Sequence, residues 1–122
     1  MKVSEILSTY ETFKELGEKE LPFEAALNVA ENLEILRIPA ETAIKKRSET
    51  MSKYLMRDEK GNPIKIGENV YKLTDSDAYM KDMTDLAEKE VKVGMLKLIP
   101  KTVFDGMNIK PSRLASILKY IK

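Results

Sequence analysis

The chain has 122 residues, 43% of them hydrophobic and 34% charged, with a formal net charge of +1. That composition predicts one soluble globular domain, residues 1–122, with no run of apolar residues long enough to cross a bilayer. Histidine and cysteine are both absent, which excludes Ser-His-Asp and Cys-His catalysis, Cys/His zinc sites and disulfides.

Carboxylates, lysines, tyrosines and hydroxyls are the only chemistry left, and no phosphate-cradling glycine loop or EF-hand spacing organises them. The expectation is a non-enzymatic protein without a cofactor or metal. Met1–Leu16 lacks the basic start and apolar run of a signal peptide, so the expected location is cytoplasmic, without membrane contact.

The first helix is predicted over Ser4–Leu16, with Ser4 as its cap, Gly17 just past its end, and Ile6, Tyr10, Phe13 and Leu16 on one stripe. A much longer helix starts near Pro22 and runs to about residue 57. Phe23, Ala26, Leu27, Ala30 and Leu33 mark its apolar face. A 4-3 seam, Val29, Leu33, Leu36, Ala40 and Ala43, continues toward Arg47, Met51 and Tyr54. Pro39 deletes one helical hydrogen bond, which predicts a kink there or a break near Ile38. Unbent, the helix is about 54 Å long, too long for a compact globule of this size, so either it bends back at Pro39 or, the favoured expectation, its far end packs on another subunit.

Asp58–Pro63 is dense in turn formers and ends the helix. Ile64–Ile66 and Val70–Leu73 flank Gly67-Glu68-Asn69 as a hairpin. Thr74 or Asp75 caps a third helix over Ser76–Glu88, with Tyr79, Met80, Met83, Leu86 and Ala87 inward. Val91–Leu98 alternates at Val91, Val93 and Met95 as a half-buried strand does, and is expected to complete a three-stranded antiparallel sheet. Pro100–Phe104 forms one turn, and a last helix, Ser112–Ile121, buries Leu114, Ile117, Leu118 and Ile121. The predicted class is α+β, mainly helical: a long helix, kinked or broken at Pro39, plus a small sheet.

Several of these features resemble one family. Arg47-x3-Met51-x-Lys53-Tyr54 precedes the turn Asp58-Glu-Lys-Gly61-Asn; a hairpin with Tyr71 and a helix over Asp77–Leu86 follow. Glu90-Val-Lys-Val93, Leu98-Ile-Pro100 and Pro111-Ser-x-Leu114-x3-Leu118 close the chain. Together, over residues 20 to 121, they resemble small proteins of unknown function from tailed phages of Gram-positive bacteria. The resemblance implies a viral origin and no established activity, and carries over no catalytic residue; a phage structural protein or a host protein is a candidate partner. The helix–hairpin–helix order is also similar to prefoldin subunits, with a third helix less than half as long as the second.

The formal charge of +1 hides alternation along the chain. Residues 1–34 carry −5, residues 35–57 +4, residues 58–90 −4 and residues 91–122 +6. Two basic groups can track phosphates: Arg37, Lys45, Lys46, Arg47, Lys53 and Arg57 in segment 37–57, and Arg113, Lys119 and Lys122 in segment 92–122. The first group is also placed to pair along its own helix, with Glu41 and Glu49 four residues before Lys45 and Lys53. The second has three possible counterparts: the acidic N-terminal helix, an acidic partner surface, or nucleic acid.

Asp82 and Asp85 share a helical face that a divalent cation can bridge, in a helix that also carries Asp75, Asp77 and Glu88; such acids also serve as caps and solvated surface. Ser116-x-x-Lys119 has the spacing of a serine nucleophile and its lysine, without any companion motif. Met51, Met56, Met80, Met83 and Met95 suit either an adaptable binding surface or core filling. The functional expectation is an interaction or assembly protein, homo-oligomeric through Val29, Leu33, Leu36, Ala40, Ala43, Met51 and Tyr54. Nucleic-acid binding through the basic segments, or inhibition of a host enzyme, are the alternatives.

Overall fold

Two facing apolar stripes organise the chain. In α1 (Val3–Gly17), Ile6, Phe13 and Leu16 are fully buried. In α2 (Phe23–Tyr54), Ala25, Val29, Leu36, Ala40 and Ala43 are buried. α1 and α2 form the principal helix–helix contact of the molecule, and their stripes share one core with Leu96, Ile99 and Ile117. The computed structural model describes residues 1–122, in which β1 (Lys65–Gly67), β2 (Val70–Tyr71), α3 (Ser76–Glu88) and α4 (Pro111–Ala115) follow the helical pair.

The start of α1 differs in detail from expectation. Lys2, not Ser4, precedes the first turn, and the Glu5 carboxylate accepts the Lys2 N–H at 3.1 Å. The stripe also contains two buried hydroxyls, Thr9 and Thr12, while Tyr10 is only half-buried. α2 begins after Pro22 and continues through Pro39 as one 32-residue helix, about 48 Å long, so the expected break near Ile38 does not occur. The chain compacts around α2 instead: α1 covers one flank and α3 packs against it further along. The far end of α2 therefore meets its own chain, where the sequence reading assigned it to another subunit. The expected apolar face also turns over, since Phe23 is 83% exposed and Leu27 is exposed.

The sheet has two antiparallel strands, with Lys65 opposite Tyr71 and Gly67 opposite Val70. Asn69 takes the left-handed conformation at φ 58°, which asparagine tolerates better than most residues. The hairpin's third neighbour is the stretch leaving α2. Met56 N–H donates to the Lys72 carbonyl, Lys72 N–H to Ile64, and Ile64 N–H to Met56, at 2.8–2.9 Å, closing a three-way ring of backbone bonds.

The third strand expected at Val91–Leu98 is absent. Residues 92–96 make no backbone hydrogen bond within the chain, and alternation slips after Gly94, leaving Met95 91% exposed and Leu96 buried. The physical reason lies in α2. Asn32 and Asn28 take up the main chain at Lys97 and Leu98, so the segment lies along a helix rather than beside a strand.

α3 has the predicted bounds and cap, with Asp75 Oδ1 accepting the Ala78 N–H at 3.0 Å. None of its residues is fully buried, and Met80 is exposed. The last predicted helix divides into α4 and a 3-10 turn, Leu118–Tyr120, because the Ser116 hydroxyl bonds back to the Arg113 carbonyl at 2.6 Å and competes with helical propagation. Ile117 is buried there and Leu118 exposed. A 3-10 turn at Lys101–Phe104 matches the turn expected after Pro100, and Ile99 pairs in parallel with Ile121.

Candidate interaction surface

The seam proposed for oligomerisation is largely spent inside one chain. Val29, Leu36, Ala40 and Ala43 lie in the interior, and Leu33 packs half-buried against the same cluster. Met51 is exposed. Tyr54 reaches α3 of its own chain, donating its hydroxyl to Asp82 Oδ2 at 2.6 Å and meeting Tyr79 edge-on at 6.0 Å. That hydrogen bond holds the Tyr54 phenol above its ordinary pKa. Most of the seam residues pack the monomer, with Leu33 and Tyr54 half-buried and Met51 exposed.

The basic residues fall into two groups. Arg37 is held by Glu34 at 3.0 Å and Glu41 at 3.7 Å, a pairing that lowers the Glu34 pKa and raises that of Arg37. Lys53 stands 3.9 Å from Asp82, and Arg57 bonds to the Gly61 carbonyl and the Ser52 hydroxyl. At the C-terminus, Arg113 meets Glu11 at 3.1 Å and Glu15 at 3.5 Å, and Lys119 meets Glu5 at 3.3 Å. Of the three counterparts open for Arg113 and Lys119, the acidic N-terminal helix is the one in contact. Hydrogen bonds from Lys2 N–H and then Lys119 hold the Glu5 carboxyl below its ordinary pKa, and the bond to Glu5 raises that of Lys119. Lys45, Lys46 and Arg47 make no ion pair within the chain and are exposed.

The remaining motifs separate in space. Ser116 bonds to Thr12 at 2.7 Å while Lys119 points to Glu5, so the two do not meet as nucleophile and base. Asp75 caps α3, Asp82 serves Tyr54, and no three carboxylates converge as a metal set would require. No helix is long and apolar enough to cross a membrane. A groove of about 530 Å³ runs between α1 and the C-terminal segment, lined by Ser4, Ser8, Thr9, Ser112 and Ser116. Thr9 and Ser116 spend their hydroxyls on neighbouring main chain, Thr9 on the Ser116 carbonyl and Ser116 on Arg113.

The surface itself is the larger feature. Only 15 residues are buried, and the accessible area is 8457 Å², whereas a compact 13.9 kDa monomer exposes about 6,700 Å². The surplus is about 1,800 Å², and twelve large apolar side chains are exposed, among them Phe23, Leu27 and Ile38 on the outer side of α2. Phe23 and Leu27 are legible in the sequence as apolar positions of α2, whereas Ile38 is not, because its neighbours at seven-residue spacing are polar, in a line two positions out of phase with the buried one. No family model matches the chain, and neither a curated protein nor a solved structure matches it.

Proposed function

We propose that this chain is a non-enzymatic assembly protein that works by associating with copies of itself. The carrying observation is the surplus of about 1,800 Å² over a compact monomer. A stable interface takes about 800 Å² from each partner, so the surplus is ample for one. Twelve exposed large apolar side chains also favour association. Light scattering on the purified chain, over a concentration series reaching about 100 µM, tests the reading. A mass near twice 13.9 kDa or a higher multiple supports it; a monomer throughout overturns it.

One observation favours a second reading. Lys45, Lys46 and Arg47 form a consecutive basic run without intrachain partners, which suits phosphate contact. Retardation of DNA or RNA at low salt, lost steeply as salt rises, would support that reading; unchanged mobility at low salt would end it.

A further inference from the structure

α2 carries two lines of residues at seven-residue spacing. Val29, Leu36 and Ala43 form the line buried against the core. Glu24, Glu31, Ile38, Lys45 and Ser52 form the other. It is shifted by two positions, which is about 200° around the helix, and therefore lies on the opposite side. Ile38, at the centre, is 57% exposed. Glu31 stands seven residues before it and Lys45 seven after.

Neither Glu31 nor Lys45 has an ion-pair partner in the chain, although Glu34, Arg37 and Glu41 beside them are paired together. The line thus has an apolar centre, with unpaired acid toward one end and unpaired base toward the other. That arrangement is self-complementary under a two-fold rotation, the property an interface between identical faces requires.

Resting on the self-association reading above, we infer that the outer face of α2 docks on the same face of a second copy, antiparallel, with the two-fold axis at Ile38. The two Ile38 side chains meet at the axis. Glu31 of each copy then faces Lys45 of the other, so two ion pairs form by symmetry on either side of an apolar contact. Parallel pairing stacks Glu31 on Glu31 and Lys45 on Lys45, and like charges at close range select against it.

The chain has no cysteine, so single-cysteine variants report the geometry without background. Ile38→Cys places two thiols at the axis and should oxidise to a covalent dimer. Ser48→Cys places them about 30 Å apart, beyond disulfide reach, and should not. Lys45→Glu replaces two attractive pairs by two repulsive ones and should raise the dissociation constant at least about tenfold; Glu31→Lys in the same chain should restore it. A wild-type protein that stays monomeric overturns the self-association reading as a whole. A wild-type dimer whose Ile38→Cys variant does not cross-link, or whose affinity ignores Lys45→Glu, overturns the antiparallel face alone.

Discussion

Asn32 holds Lys97 by both main-chain groups: Lys97 N–H donates to Asn32 Oδ1 at 2.6 Å, and Asn32 Nδ2 donates to the Lys97 carbonyl at 2.9 Å. A fully buried side chain of α2 thereby occupies the place a neighbouring strand would take. Asn32→Leu keeps the branched shape at a somewhat larger volume and loses both bonds, and should cost at least about 2 kcal/mol in a denaturant melt.

Asn32→Asp separates the chemistry from the volume. Its carboxylate still accepts the Lys97 N–H but confronts the Lys97 carbonyl with a charge, whereas the protonated acid can donate to it. Burial raises the carboxyl pKa, so the variant should be far weaker than wild type at neutral pH and recover part of the difference near pH 4. A deficit that stays constant between the two conditions would contradict the Asn32–Lys97 pairing.

How far the sequence discloses this fold depends on what each signal encodes. The bounds of α3 are legible, because Asp75, one of the two cap candidates, is a strong cap and the helix needs little from its surroundings. The length of α2 was also legible, along with the α1 stripe of Ile6, Phe13 and Leu16. The strand at Val91–Leu98 was misread because its alternation shows only that one side faces a core, not what receives its backbone; an asparagine about 65 residues earlier decides that. Val29, Leu36, Ala40 and Ala43 are legible as an apolar stripe, but periodicity carries no information on whether the covering surface belongs to the same chain. Pairing of Arg113 and Lys119 with α1 was visible as opposite segment charges, though the same charges suited an outside partner equally well.

Leu36 discriminates between the two roles of its stripe. It is fully buried in the core shared with α1, so Leu36→Ala should cost about 2–5 kcal/mol of unfolding free energy. The assembly mass by light scattering should not change at temperatures where the variant is folded. A fall in mass without a fall in stability would return Leu36 to an intersubunit seam.

Pro39 lies inside α2 and cannot donate to the Ile35 carbonyl one turn earlier. Pro39→Ala restores the donor in a helix that is already continuous there, and should raise the melting temperature. The gain is capped at about 3 kcal/mol, or about 12 °C for a chain of this length, and is reduced by the unfolded-state entropy that proline removes. A lower melting temperature would mean that the proline ring supplies packing the alanine cannot replace.

The contacts tying the C-terminal segment to α1 give stability a defined dependence on pH. Glu5 has a folded-state pKa below its ordinary value, owing first to Lys2 N–H and then to Lys119, and Glu34 is lowered by Arg37. A depressed carboxyl contributes stability above its unfolded pKa, about 4.3, and loses it as pH falls through the folded value. Lys119 is raised by Glu5, and Lys2 by Glu88, so their contributions are complete below about pH 10.4 and disappear as pH rises through the higher folded values. Melting temperature should therefore be level near neutrality, fall below about pH 4 and fall again above about pH 10.5. Because these side chains are largely solvated, each limb attributable to one pair should be only about 1–3 °C deep. Lys119→Ala should shrink both limbs while leaving the Glu34–Arg37 share of the acid limb in place. A variant with wild-type limbs on both sides would show that the Lys119–Glu5 contact carries no stability in solution.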